Sequence, residues 1–147
     1  MSIYNPRASG LGYAPAYQVS GKPYVTGSVV QGAGGSGAEE VKVTFPQVTK
    51  SITVACTGAA GTAIRFHFDS IQDSANVGGQ HGPGTHAIPL YATTADVNHV
   101  FTFDAKCKEI FISNPTPNQT GFILYAELTS IPSSDMYELT GSGINEA

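Results

Sequence analysis

The stretch SITVACTGAAGTAIRFHF, residues 51–68, alternates apolar and polar side chains on both sides of a glycine-containing turn. Its apolar members recur at every second position, namely Ile52, Val54 and Cys56 before the turn and Ile64, Phe66 and Phe68 after it. Successive side chains of a strand point to opposite faces, so this spacing predicts two strands, each with one buried and one solvated face. Arg65 and His67 are expected on the solvated face.

Segments with the same period of two extend from this stretch in both directions. They cover residues 41–45, 86–92, 99–105, 109–113 and 121–128, and residues 24–30 are a possible further strand. No window shows the 3.6-residue period of a helix, and only a turn near residues 134–139 is expected to be helical. The sequence therefore predicts an all-β protein, a single antiparallel β-sandwich of jelly-roll or immunoglobulin-like kind.

Aromatic residues divide the chain into three parts. All seven phenylalanines fall between Phe45 and Phe122, whereas four of the seven tyrosines fall within the first 24 residues. Proline and glycine are frequent ahead of the phenylalanine-rich part, and no helix would tolerate them there. We therefore expect an extended arm over residues 1–37, a sandwich over residues 38–131 and a short tail over residues 132–147.

The low charge of the chain excludes several classes of partner. Only 12% of the residues are charged, against about 25% in an average soluble protein, and the net charge is −4. Without a cluster of lysines or arginines, no nucleic-acid partner is expected. No apolar run is long enough to span a bilayer and no signal-peptide pattern is present, so we expect no membrane partner and synthesis in a cytosol. A surface this poor in charge is expected to be covered by another protein.

No motif predicts catalysis, a cofactor or a metal site. Residues 32–37 match GxGxxG, but a strand follows them and Glu39 and Glu40 would repel a phosphate, so a flexible hinge is favoured. The four histidines are not placed for a metal, and no nucleophile has a base beside it in a local signature. Cys56 and Cys107 are expected to be buried free thiols. We expect a protein that is not an enzyme.

The arm and the tail carry the residues expected to contact a partner. The arm contains no acidic residue, and its tyrosines provide large contact area at low entropy cost. The predicted interface residues are Tyr4, Pro6, Leu11, Tyr13, Tyr17 and Tyr24 in the arm, and Met136, Tyr137, Leu139 and Ile144 in the tail. The alternative is that the arm wraps its own sandwich. Because few charges protect the sheet edges and faces, a homo-oligomer is expected, with a trimer favoured over a dimer.

Three short sequence segments in the arm and tail resemble those of a known class of proteins. They are NPRASGL at residues 5–11, YQVSGKPYVTGS at residues 17–28 and LTGSGI at residues 139–144. They are similar to small virion structural proteins of tailed bacteriophages, particularly phages of marine bacteria and cyanobacteria. The resemblance implies a virion component, assembled in the host cytoplasm, that decorates the capsid as a cement protein. Its partner would be the major capsid protein or another virion subunit, with the arm clamping neighbouring subunits.

Two alternative functions remain open at this point. The same features suit a neck or tail component of a virion, and a β-sandwich is also a common framework for carbohydrate-binding modules, in which sugars stack on exposed rings. The chain has no tryptophan, and Tyr91 and Tyr125 are the tyrosines within the predicted sandwich. Because Tyr125 lies between Leu124 and Ala126 on a predicted strand, its ring is expected to face outward.

Overall fold

The computed structural model describes residues 22–32, 40–70, 87–92 and 99–139. These ranges contain eight strands and one short 3-10 helix. The strands are β1 (Pro23–Val30), β2 (Glu40–Thr44), β3 (Gln47–Cys56), β4 (Ala63–His67), β5 (Ile88–Tyr91), β6 (Val100–Phe103), β7 (Glu109–Ser113) and β8 (Thr120–Pro132). The helix, Ser133–Asp135, lies beside the predicted helical turn. The predicted all-β fold is confirmed for the described residues.

The strands form two antiparallel four-stranded sheets. Sheet A has the strand order β1-β8-β3-β6, and sheet B has the order β2-β7-β4-β5. Along the chain, β1 pairs with β8, β2 with β7, β3 with β6 and β4 with β5. Each of the first four strands is thus paired with one of the last four, in reverse order along the chain. These four pairs belong alternately to sheet A and sheet B. This is the connectivity of a jelly roll, one of the two predicted topologies.

The core lies between the sheets and is built from alternate residues of the strands. Ile52, Val54 and Cys56 of β3 are fully buried, as their spacing predicts. From sheet B, Phe66 reaches across and stacks on Phe103, with ring centroids 4.8 Å apart. Each fully buried side chain of this size contributes about 1.5–3 kcal/mol through removal from water. The inward halves of the strands therefore hold the two sheets together.

Strand β1 extends the sandwich into the segment assigned to the arm. All of β1 pairs with β8, from Pro23 opposite Glu127 to Val30 opposite Thr120, and Val30 is fully buried. The possible further strand at residues 24–30 is therefore present. The sandwich begins at Pro23 rather than at residue 38, and the rest of the predicted arm, residues 1–21 and 33–37, lies outside the described residues.

Asn114 fastens the end of β1 to the turn between β7 and β8. Its buried side-chain amide donates hydrogen bonds to the carbonyl oxygens of Val30, at 3.1 Å, and Asn118, at 2.7 Å. Its Oδ1 accepts from the backbone N–H of Thr116 at 2.9 Å and from the hydroxyl of Thr116 at 2.7 Å. Two donors and two lone pairs are all that an amide side chain offers, so the group is fully satisfied.

Gly32 packs against the same turn. A Cβ placed on Gly32 would lie 2.0 Å from the carbonyl oxygen of Pro117, so no side chain fits there without moving backbone. A glycine is required where two backbones approach this closely. This first glycine of the GxGxxG match is therefore a packing residue, while residues 33–39, which include the remainder of the predicted hinge, lie outside the described residues.

Candidate interaction surface

On the outward side of sheet A, two adjacent rows of side chains cross all four strands and contain no charged residue. One row across the four strands consists of Val25, Tyr125, Thr53 and Thr102, and the next consists of Gly27, Ile123, Ala55 and Val100. Val29 continues the surface along β1. We call these nine residues the uncharged face. The register of the three strand pairings places them side by side, because residues paired across neighbouring strands point to the same side.

The apolar side chains of the uncharged face are exposed. Val25 is 68% exposed, Val100 60% and Ile123 51%. Of the nine large apolar side chains exposed in the described residues, five belong to this face. The hydroxyls of Thr53 and Thr102 hydrogen-bond each other at 2.8 Å and are the only side-chain polar groups of this face besides the Tyr125 hydroxyl. A contiguous exposed apolar patch on a soluble protein is typical of a surface that contacts another protein or a ligand.

A single ion pair marks one end of the uncharged face. The Nζ of Lys50 lies 3.8 Å from a carboxylate oxygen of Glu127, and both side chains are roughly half exposed. Glu127 follows Tyr125 on the outward side of β8. Exposed pairs of this kind contribute about 0.2–1 kcal/mol to stability and remain hydrated. The change from hydrated charges to apolar side chains therefore happens within one residue pair along the strand.

The sequence of β8 contains the signal for this surface. Residues 122–126 read Phe-Ile-Leu-Tyr-Ala, an unbroken apolar run, where a half-solvated strand would alternate with polar residues. Such a run is typical of a strand covered on both sides. The predicted outward position of Tyr125 is confirmed, since the ring is exposed. The exposure of Ile123 and Val25 on the same surface was not predicted, because it depends on the long-range pairing of β1 with β8.

The outward side of sheet B differs from that of sheet A. It carries Lys42, whose Nζ lies 2.7 Å from a carboxylate oxygen of Glu109 and 5.3 Å from the ring centroid of Phe111. Arg65 and His67 of β4 belong to the same side. Charged groups and their partners therefore occupy this side, whereas the matching rows of sheet A hold none.

His67 lies on the outward side of sheet B, as the alternation predicts, but it is buried, so its predicted exposure to solvent is wrong. Its ring is 2% exposed and has partners at both nitrogens. Nδ1 lies 2.6 Å from the carbonyl oxygen of Asp69, which can only accept, so Nδ1 carries the hydrogen. Nε2 lies 3.0 Å from the hydroxyl oxygen of Ser113 and 3.7 Å from a carboxylate oxygen of Glu40. A histidine satisfied at both nitrogens tolerates burial, which a strand pattern alone does not reveal.

The pairing of Ser113 with His67 has the atoms of a nucleophile and a base but not their accessibility. Both side chains are 2% exposed, so a substrate in solvent does not reach either one. The hydroxyl of Ser70 donates to Glu40 at 2.7 Å, which links the start of β2 to the segment after β4. The group therefore holds chain segments together. Among the described residues, no three His, Cys, Asp or Glu side chains come together as a metal site requires.

Cys56 and Cys107 are free and buried, as predicted. Burial raises the pKa of the Cys107 thiol to about 11, while a hydrogen bond with Thr49 opposes part of that rise. The Thr49 hydroxyl oxygen lies 3.3 Å from the sulfur and accepts from the Cys107 backbone N–H at 3.1 Å. The thiol is therefore protonated at neutral pH and poorly suited to act as a nucleophile.

The predicted interface residues fall into three groups in the structure. Tyr24 packs edge-on against Phe45 of the core, with ring centroids 5.4 Å apart, and Met136 is buried in a small cluster with Val48 and Ile131. Leu139 is half-buried against both core clusters, whereas Tyr137 is 68% exposed. Tyr4, Pro6, Leu11, Tyr13, Tyr17 and Ile144 lie outside the described residues.

The start of the tail is joined to the sandwich at one side. Lys108 and Glu138 form an ion pair there, beside a cleft of about 30 Å³. Phe68, Asp69, Glu109 and Leu139 complete the lining of this cleft. The space has room for little more than a water molecule. Within the described residues, the uncharged face is therefore a larger candidate for a functional surface than this cleft.

Comparisons with known proteins assign no family to this chain. No family model, curated protein or solved structure matches this sequence or its fold. In the part of the chain that the structure describes, no helix has the length and apolar character needed to cross a bilayer.

Proposed function

We propose that this chain is a non-enzymatic structural protein of a virion, which decorates the outside of the head shell and stabilises it by contacts with neighbouring subunits. The observation that carries the proposal is the uncharged face, since a sheet side this apolar and this exposed is typical of a subunit within a larger assembly. Its partners would be the major capsid protein, other virion subunits and further copies of itself. The proposal includes assembly in the host cytoplasm and residence in the virion.

The fold and the residues of the ends support the same role. Jelly rolls recur in viral capsid proteins, and the terminal phrases resemble those of small phage virion proteins. Because one fold serves many functions, this support counts as analogy and the surface carries more weight. A decoration subunit that contacts the shell at several points gains strength from each later contact, since that contact forms at high effective concentration.

The abundance of the chain in purified virions tests this proposal. We expect quantitative mass spectrometry to find it at a fixed ratio to the major capsid protein, and of comparable copy number, because a decoration protein follows the shell lattice. Recombinant chain should also co-sediment with shells from which it has been stripped. A few copies per particle would favour a neck or tail component, and absence from washed particles would contradict a virion role.

Carbohydrate binding is a second candidate, favoured by the exposed ring of Tyr125 on the uncharged face. A ring of this kind can stack on a sugar, but its neighbours Val25 and Thr53 offer few groups to bind hydroxyls. A glycan array separates the candidates. Specific glycan binding that is lost in Tyr125→Ala but kept in Tyr137→Ala would support the sugar-binding function.

A further inference from the structure

We propose that the uncharged face of one copy is covered by the N-terminal arm, residues 1–21, of a neighbouring copy. This inference rests on the proposed role of the chain as an assembling virion subunit and names the occupant of the same surface. The first reason is exposure. Val25, Val100 and Ile123 are exposed in the single chain, and an arm from a neighbouring copy would bury them.

The size of the face argues against a second copy packed on it face to face. Four strands about 4.8 Å apart, with about five residues each at about 3.3 Å per residue, give a footprint of only about 300 Å². Stable protein pairs use about 20–30 residues on each partner, whereas the uncharged face has nine. An extended segment that crosses the face and continues beyond it adds contact area that two flat faces of this size do not have.

The arm has the length to reach a neighbour. It joins the sandwich at the start of β1. The backbone N–H of Leu128 donates to the carbonyl of Lys22, and Pro23 already pairs with Glu127. The arm therefore departs from the edge strand of the same sheet. Twenty-one extended residues span up to about 70 Å, and crossing a face about 19 Å wide takes about six of them.

The arm also matches the face in chemistry. Arg7 is the one charged side chain among residues 1–21, so burial of the arm desolvates almost no charge. Residues 11–19 read LGYAPAYQV, with large apolar side chains at four of the five odd positions, Pro15 at the fifth, and small or uncharged side chains between them. In an extended segment, alternate side chains point the same way. Leu11, Tyr13, Tyr17 and Val19 would then form one apolar stripe against the uncharged face.

If the arm of each copy lies on sheet A of the next copy, the contact joins two unlike surfaces, an arm and a sheet face. Contacts of this type close into a ring when the rotation between copies allows it. This arrangement is consistent with the predicted homo-oligomer. It also adds a contact between copies to whatever contact each sandwich makes with a shell, which strengthens attachment of the whole ring.

Site-specific photo-crosslinking of the full-length chain tests the inference. A photoreactive phenylalanine analogue replaces Ile123 on the uncharged face, and a matched variant carries it at Thr44, an exposed strand position on sheet B. After irradiation at micromolar concentration, the position-123 variant should give covalent dimers in which residue 123 is joined to a peptide from residues 1–21. The position-44 variant should give far fewer. Tyr13→Ser with Tyr17→Ser should lower the position-123 yield at least severalfold.

Several outcomes would overturn the inference. An arm crosslink confined to monomer-sized product would place the arm on its own sandwich, and dimers joined face to face would make a second copy's sheet the occupant. Equal yields at positions 123 and 44, or no crosslinked product at either, would also count against it. None of these results depends on abundance in virions, so the inference and the proposed function fail separately.

Discussion

Val25 lies directly opposite Tyr125 in the pairing of β1 with β8, and both side chains point away from the core. The residues beside them on β8, Leu124 and Ala126, are fully buried. The same two strands therefore present apolar side chains both to the interior and to the outside. Burial accounts for the first set. The second set has the exposure typical of a surface that contacts another protein or a ligand, and the proposed assembly contact would remove it from water.

Asn114→Ala is expected to destabilise the sandwich by roughly 2–3 kcal/mol, because the buried carbonyl group of Val30 and the backbone N–H of Thr116 lose their side-chain partner. For a chain of this length the melting temperature should fall by about 5–10 °C. Asn118→Ala is the matched control, since Asn118 contributes its backbone carbonyl and its own side chain is exposed. Calorimetry of both variants checks the prediction, and similar melting temperatures would show that the Asn114 network contributes little.

Gly32→Ala should also lower the melting temperature, because the methyl group would overlap the Pro117 carbonyl. The loss of stability should lie at the upper end of the range seen for ordinary point substitutions. The exposed neighbour Gln31 provides the control, and Gln31→Ala should change the melting temperature by no more than about 1–2 °C. Thermal unfolding of the pair measures the difference. Equal stability of the two variants would mean that the turn moves away from the added methyl group at little cost.

Removal of residues 1–21 should leave the sandwich folded, with a melting temperature within a few degrees of the full chain. The core clusters and the ladder of β1 with β8 all begin at or after Pro23. Removal of residues 1–30 is the contrasting variant. It deletes the buried Val30 and the contact of Tyr24 with Phe45, and should abolish cooperative unfolding. Circular dichroism melts distinguish them, and loss of structure in the shorter truncation would make residues 1–21 part of the fold.

Cys107 should make stability fall at alkaline pH. Its pKa is raised to about 11 by burial, so the folded chain holds the thiol proton more tightly than the unfolded chain, whose thiol ionises near pH 9. The contribution is fully present below pH 9 and is lost as the pH rises toward 11. Over that interval it amounts to about 2–3 kcal/mol.

The measurement is urea unfolding at a series of pH values for the natural chain and for Cys107→Ala. Other groups also titrate in this range, so the informative quantity is the difference between the two stability curves. That difference should shrink between pH 9 and 11. Parallel curves over this interval would mean that the Cys107 pKa is not raised in the folded chain.

Some features of the fold follow from local sequence and others do not. The alternation around Ile52 and Phe66 predicts strands and their buried sides, because side-chain period depends only on strand geometry. The choice of a jelly roll depends on which strands pair at long range, such as β1 with β8, and no local pattern encodes that. His67 illustrates the same limit, since its burial depends on Ser113 and Glu40 from two other strands.

The candidate surface was hidden for a related reason. The apolar run Phe122–Ala126 is visible in the sequence, but it becomes a surface only when β1 supplies Val25 on one side and β6 supplies Val100 on the other. The amino-acid composition favoured the tyrosines of the arm as the predicted interface instead. Tyr24 and Met136, two residues of that predicted interface, pack within the sandwich itself.

The most direct test of the central claim, that the uncharged face is an assembly surface, is sedimentation velocity of Ile123→Lys beside Thr44→Lys. Both add one positive charge at an exposed strand position, the first on the uncharged face and the second on sheet B. We expect the natural chain and Thr44→Lys to sediment as the same oligomer. Ile123→Lys should sediment as a folded monomer that still unfolds cooperatively, because an anchor worth about 1.5–3 kcal/mol is replaced by a charge. Assembly of Ile123→Lys indistinguishable from that of Thr44→Lys would contradict the claim.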